Sequence, residues 1–301
     1  MPSLQLLHIA VSSLLFLANV RSAVDLQSLS SLLKAKVSGD SPVVANKDIV
    51  DTVMRYVPYA GLSYCPDARV QAMDCKHCQK VPAAFHSFAS NPKTTTHSVI
   101  LLDKQQKEIV VSIRGSESFS KALSLATLDK TTYPYFDSSA KVHSTTLNYL
   151  QSIQAELEAK LSNLTAVYKG FRLVVVGHSL GGSIASLLAP ILFDKLKIKP
   201  NRLLMVSYAQ PRVGDAGFVT QFKRLAFPYI RVVNGNDGVT HFPARKLGFL
   251  HIPNEINLKG NVALQCRNQE LEDPKCSTSE SAMLSSQHSM VASLIVGSNG
   301  C

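Results

Sequence analysis

Residues 171–193 read FRLVVVGHSLGGSIASLLAPILF, and their order decides the fold. Phe171-Arg-Leu-Val-Val-Val176 is an apolar, valine-rich run of strand length. It passes straight into Gly177-His178-Ser179-Leu180-Gly181, and Ser183–Phe193 then carries the composition of a buried helix. Downstream, Leu203–Tyr208 and Tyr229–Val233 are further apolar runs of strand type. Upstream, Leu147, Leu150, Ile153, Leu157 and Leu161 recur at steps of three or four, the strongest helical signal in the chain. Earlier still, Ser98–Leu102 and Ile109–Ile113 flank the polar turn Asp103–Lys107 and predict a hairpin. Ile49, Val53, Tyr56, Val57 and Ala60 predict a helix over Asp48–Leu62. Strands alternating with helices predict an α/β domain with a mainly parallel central sheet between helical layers, over residues 47–301.

The N-terminal part reads differently. Leu4–Val20, LQLLHIAVSSLLFLANV, has the length and character of a signal-peptide core, with small residues Ser22 and Ala23 after it. Residues 1–22 are expected to be a signal peptide, so the protein is expected to be secreted, and the net charge of +10 falls to +9 when Arg21 leaves with it. Residues 23–46, rich in serine, are expected to be a propeptide or an N-terminal arm. With 46% apolar and 17% charged residues the chain can bury a large core, which excludes wholesale disorder. Its basic residues are spread along the chain rather than clustered, so the charge argues for a basic surface and against a nucleic-acid footprint. Six cysteines in a secreted chain predict up to three disulfides. Cys75-Lys-His-Cys78 also has redox or half-zinc-site spacing, but the chain offers no second C-x-x-C or H-x-x-x-H.

Gly177–Gly181 is G-x-S-x-G at a strand-to-helix turn, the setting of a nucleophile elbow. The glycines are needed because the turn is sharp and a Cβ two residues from the serine would collide with the neighbouring backbone. The Ser179 hydroxyl then stands clear of the sheet, and the Leu180 N–H at the start of the helix is a natural donor to an oxyanion. A serine needs a histidine to take its proton and a carboxylate to orient that histidine. In the chain order that goes with such an elbow both follow the serine, the acid first and the histidine after it. Of Asp194, Asp215, Asp237, Glu255, Glu270, Glu272, Asp273 and Glu280, Asp237 stands out because it follows the strand Tyr229–Val233. Asp194 and Glu270–Asp273 read as solvated surface. Among His241, His251 and His288 composition does not choose; His288 precedes an apolar stretch that reads as a C-terminal helix.

Seven motifs occur in one order: Ile113-Arg-Gly-Ser116, Lys141-Val-His143, Val176–Gly182, Ser207-Tyr-Ala-Gln-Pro-Arg-Val-Gly214, Arg231–Asp237, Phe242-Pro-Ala-Arg245 and Leu247-Gly-Phe-Leu-His251. As a set they resemble the class 3 lipases, the filamentous-fungal triacylglycerol lipase family, over roughly residues 48–301. The resemblance implies an α/β-hydrolase fold with a short helical lid. It implies Ser179, Asp237 and His288 as the catalytic triad, with His251 outside it, and Ser116 beside the Leu180 N–H as oxyanion donors. Residues 117–131 match the lid, where Phe119, Leu123 and Leu128 are expected to meet lipid. Cys65–Cys301 resembles the family's long-range disulfide and Cys75–Cys78 a short-loop pair of some members, which leaves Cys266–Cys276.

The implied activity is hydrolysis of acylglycerols or other esters at a lipid–water interface through an acyl-enzyme, with no metal or organic cofactor and no obligate protein partner. Esterases on soluble or aromatic esters, such as feruloyl esterases, and phospholipases A1 are the alternatives; a non-catalytic binding protein is a remoter one. The chain departs from the family in Lys121-Ala-Leu where an Asn-Trp pair is usual, in Ser144-Thr-Thr after His143, and in Val291-Ala292 after His288. Asn163-Leu-Thr165 is a glycosylation sequon expected just beyond the long helix.

Overall fold

Runs that are apolar at every position bury both faces, and such runs form the middle of the sheet. The computed structural model describes residues 24–34, 42–116, 128–266, 272–277, 286–291 and 294–301. In chain order these hold α1 (Leu26–Lys34), β1 (Val43–Val44), α2 (Lys47–Leu62), α3 (Asp67–Gln71), β2 (Ala84–Asn91), β3 (Thr96–Asp103) and β4 (Glu108–Ile113). The ribbon β5 (Lys130–Thr132) and β6 (Lys141–His143) leads into α4 (Ser144–Val167), β7 (Arg172–His178) and α5 (Leu180–Lys195). Then come β8 (Leu203–Tyr208), α6 (Ala216–Phe222), β9 (Tyr229–Asn234), β10 (Glu255–Lys259), β11 (Val262–Gln265), β12 (Met290–Val291) and β13 (Leu294–Ile295).

Nine strands form one sheet in the order β1-β11-β10-β9-β8-β7-β4-β3-β2. The five from β4 to β10 at its centre run parallel. The flanks are antiparallel, through β2, β3 and β4 on one side and β10, β11 and β1 on the other. Alternation along each strand splits the core in two. Leu173, Val175, Met205 and Tyr229 face α4, α5 and α6. Val174, Val176, Leu204, Val206 and Ile230 face α1 and α2. The three layers of the sequence reading are present. The flanking strand β2 was not foreseen, because Ala84–Asn91 alternates weakly and carries His86, Ser87 and Ser90.

Three further expectations are corrected, and the N-terminal stretch gains an element. The N-terminal stretch contains α1, capped by Asp25, whose Oδ2 accepts from the Ser28 N–H at 2.9 Å, and Leu26, Leu29 and Leu33 are buried in the core. The long helix runs on to Val167, because Leu164 continues the apolar stripe, so the sequon lies within its last turns rather than beyond it; Asn163 is exposed there. Among the described residues no α-helix follows His288, only the single 3₁₀ turn Ser298–Gly300. Met290–Val291 and Leu294–Ile295 pair with each other, and β-branched residues beside Gly297 at φ 140° suit that extended ribbon. Of the expected lid, Lys130 and Thr131 belong to β5, while Phe119 and Leu123 lie outside the described residues.

Candidate active site

Strand β7 ends at His178, and Ser179 sits between it and α5 at φ 57°, ψ −130°. A left-handed backbone at a serine is strained and persists only where the surroundings enforce it. Here the glycines do: a Cβ on Gly177 would strike the Gly181 carbonyl, and one on Gly181 would strike the carbonyl of Ile113 in the neighbouring strand. The Ser179 N–H is held by the Tyr208 carbonyl at 2.8 Å. Leu180 is the first residue of α5, so its N–H has no acceptor within the helix.

Asp237 follows β9 and caps a short turn, with Oδ1 accepting from the Val239 N–H at 3.0 Å. Its other oxygen, Oδ2, accepts from His288 Nδ1 at 2.9 Å, and the carboxylate is fully buried. His288 Nε2 faces Ser179 Oγ at 3.0 Å. With the proton on Nδ1 held by the carboxylate, Nε2 presents its lone pair to the serine hydroxyl. Serine, imidazole and carboxylate thus stand in one hydrogen-bonded line, able to move a proton off Ser179 and return it to a leaving group. Gln287 docks beside it: the Asn236 N–H donates to its Oε1 at 3.0 Å and Asn234 Nδ2 to its carbonyl at 3.2 Å.

Ser116 leaves the end of β4 and is partly buried. The residue before it is wedged against the elbow, since a Cβ on Gly115 would meet the Tyr64 hydroxyl, the His178 carbonyl and the Ser179 Cβ. His178 makes two directional bonds. Its Nε2 lies 2.8 Å from the His288 carbonyl, which can only accept, so Nε2 carries the proton. Nδ1 is then an acceptor and receives the Tyr64 hydroxyl at 2.7 Å, while that same oxygen accepts from the Gly115 N–H at 3.0 Å. Burial, with His288 nearby, pushes the His178 pKa down to about 3, so the ring is neutral in this role. Neither Tyr64 nor His178 was given a part by sequence reasoning. Tyr64's place beside Cys65 and His178's inside the elbow were the only signals.

The turn carrying Asp237 has its own support. The Thr240 Oγ1 donates to the Asp237 carbonyl at 2.7 Å, and His251 Nε2 donates to the Thr240 carbonyl at 2.7 Å. Arg212 donates to the His241 and Pro243 carbonyls and forks onto Glu272, Nε to Oε1 and Nη2 to Oε2, both at 2.7 Å. Glu272 and Asp273 are buried, which corrects their reading as solvated surface. The partner that draws Glu272 inside is sixty residues away in sequence, in the Pro211-Arg-Val-Gly214 segment. The Arg212 guanidinium, with the His251 N–H beside it, holds the Glu272 carboxyl well below the usual range against its burial.

Leu128 stands 44% exposed, two residues before β5. The six cysteines form Cys65–Cys301, Cys75–Cys78 and Cys266–Cys276. Glu255 lies beside Cys266 and Cys276, but their sulfurs are bonded to each other and offer no thiolate to a metal.

Residues 110–247 match a family model described as lipase (class 3). A lipase of Rhizomucor miehei is 29% identical over 244 residues, covering 78% of this chain and 66% of that protein. A secreted mono- and diacylglycerol lipase of Fusarium solani is 28% identical over 221 residues, covering 68% of this chain and 62% of its own length. The chain therefore spans slightly less than two thirds of these relatives. The solved structure of Rhizomucor miehei triacylglyceride lipase superposes with a TM-score of 0.80 at 27% identity, over 86% of this chain and 99% of that one. Lipase II of Rhizopus niveus gives 0.79 at 25% identity, over 86% and 99%.

Proposed function

From the match of residues 110–247 to the class 3 lipase model and the likeness to fungal lipases, we propose that the protein is a secreted serine hydrolase of acylglycerol esters, working at a lipid–water interface. The observation that carries this reading is the line from Ser179 Oγ through His288 to the buried Asp237. Ser179 Oγ attacks the ester carbonyl as its proton passes to His288 Nε2. Asp237 holds the ring and stabilises the imidazolium. Ser116 and the Leu180 N–H receive the charge on the carbonyl oxygen. As the intermediate collapses, His288 gives its proton to the leaving glycerol oxygen. Water, deprotonated by the same imidazole, then releases the fatty acid from Ser179.

The substrate class rests on the relatives' names, which include triacylglyceride and mono- and diacylglycerol lipases. The interface is supported by Leu128 and Leu247, large apolar side chains exposed on either side of a bond from Lys130 Nζ to the Leu247 carbonyl at 2.7 Å. Phe119 and Leu123 belong to the same proposed lipid-facing lid. Secretion is supported by the N-terminal apolar segment, three disulfides and a relative named as secreted. Asn163 is a glycosylation candidate on that route.

The test is an assay of the protein beside Ser179→Ala, on a soluble short-chain ester and an emulsified long-chain triacylglycerol. The expected result is hydrolysis of both, rising when the emulsion forms, and a loss of at least about 10⁴-fold in the variant. Activity confined to soluble esters would convert the reading to an esterase. Absence of activity on both, in folded protein, would reject catalysis.

A further inference from the structure

His288 rides on a segment that the sheet does not hold. Among the described residues, 286–301 pair only as the two-residue ribbon β12–β13, apart from the nine-stranded sheet. Its position therefore depends on individual fastenings, and several originate in residues 64–78, just after α2. Cys65 is bonded to Cys301. His77 Nε2 donates to the Ile295 carbonyl at 2.8 Å, and its ring fills the space over Gly61 and Gly300. Tyr64, next to Cys65, reaches the segment through His178.

The Tyr64–His178 contact is the one aimed at the chemistry. The bonds run in one direction: Gly115 N–H to Tyr64 oxygen, Tyr64 O–H to His178 Nδ1, His178 Nε2–H to the His288 carbonyl. One end grips the backbone of the base. The other grips the peptide just before Ser116, where a Cβ has no room. The middle is the residue directly before the nucleophile. We propose that Tyr64 and His178 are positioning residues, a buried hydrogen-bonded chain that sets the spacing of the His288 base, the Ser179 nucleophile and the Ser116 end of β4. This rests on the hydrolase reading above, since it assigns those three their parts.

A neutral His178 is required, because only one ring nitrogen can then donate while the other accepts. Loss of the Tyr64 hydroxyl leaves the Gly115 N–H and His178 Nδ1 without their partner; the His288 carbonyl still calls for the proton on Nε2, so the ring keeps its tautomer but loses one of its two fastenings. A misplacement of about 1 Å between base and nucleophile costs about 100-fold in rate.

The experiment uses the full-length protein and a soluble short-chain ester below its solubility limit, with Ser179→Ala as the zero. Tyr64→Phe removes one oxygen and is expected to lower kcat about 10- to 100-fold while KM stays within about twofold. His178→Gln can still donate an N–H to the His288 carbonyl, and is expected to keep about ten times the kcat of His178→Leu. Thermal midpoints are measured for each. ¹⁵N NMR of the His178 ring is recorded in the Ser179→Ala background, where no turnover is needed. It should show the neutral Nε2–H tautomer from pH 5 to 8, and a displaced Nδ1 resonance with the tautomer unchanged once Tyr64→Phe removes the bond to Nδ1. An unchanged kcat in Tyr64→Phe, kcat losses that simply follow the thermal midpoints, or a proton on Nδ1 of His178 would each overturn the proposal. A wild type no faster than Ser179→Ala would reject the hydrolase reading instead, and the NMR measurement would still decide the hydrogen-bond chain.

Discussion

Glu272 shows how far one residue's role can lie from its local sequence. In the run Glu270-Leu-Glu-Asp273 it looks solvated, yet it is buried, with its carboxylate forked by Arg212 and its Oε1 also accepting the His251 N–H at 2.9 Å. A buried pair of this kind adds little net stability over an apolar pair of the same shape, but breaking it leaves an uncompensated charge. Glu272→Gln is therefore expected to lower the unfolding free energy by about 3–5 kcal/mol, read as a drop in the urea midpoint at pH 7. The double variant Arg212→Met/Glu272→Leu should recover most of that loss. If the single variant unfolds with the wild type, the pair does not hold the Asp237 turn. Asp237 itself was legible, because it follows an apolar strand at the end where such sites form; its support was not, since nothing in a local window joins Arg212 to Glu272.

Elements carried by strong periodicity were read correctly: α4 from its leucine spacing, β7 and α5 from the apolar run that breaks at the elbow, and β3 and β4 from their polar turn. Elements held by tertiary contacts were not. β2 lacks a clean alternation, and β12 and β13 are two residues each, with burial of Val291 and Val296 standing in for length. The serine-rich stretch before α2 conceals α1, whose three leucines face the sheet through α2's layer. This bears on whether residues 23–46 are a propeptide or an arm. Burying one leucine is worth about 1.5–3 kcal/mol, so three approach the whole stability of an ordinary domain. A protein beginning at Lys47 is expected to melt at least about 10 °C lower, or to aggregate, and Leu29→Ala in the full chain to lose about 2–5 kcal/mol. An unchanged melting temperature in the shortened protein would make the arm a removable propeptide with no share in the core.

At the scale of the whole molecule, the fold stores several imidazoles in their neutral form, and this sets its response to acid. His77, His178, His241 and His251 all have pKa values lowered from 6.5, with burial as the largest cause in each. His178 and His251 are the most extreme, at about 3 and well below 6.5. In the unfolded chain these side chains take up protons near 6.5, while the native state resists. The unfolded state then binds more protons, so unfolding free energy falls as pH drops below 6.5 and is unaffected above it. Each fully resisted proton contributes a slope of about 1.4 kcal/mol per pH unit. His178 and His251 together predict a loss of about 2.4 kcal/mol between pH 6 and pH 5, a large share of the stability of a typical domain. Glu272, depressed in the native state, adds a further loss once the pH falls below about 4.5, where the unfolded carboxyl protonates. His251→Gln isolates one proton of this slope. Its amide can still donate to the Thr240 carbonyl, the bond that His251 Nε2 now makes at 2.7 Å, but it does not titrate. Urea midpoints at pH 7, 6 and 5 should show the variant losing about 1.4 kcal/mol less per unit than the wild type, with the two nearest at pH 7 in their pH dependence. Parallel slopes in the two proteins would mean that His251 takes up its proton without unfolding, and that the acid sensitivity lies in other groups, His178 first among them.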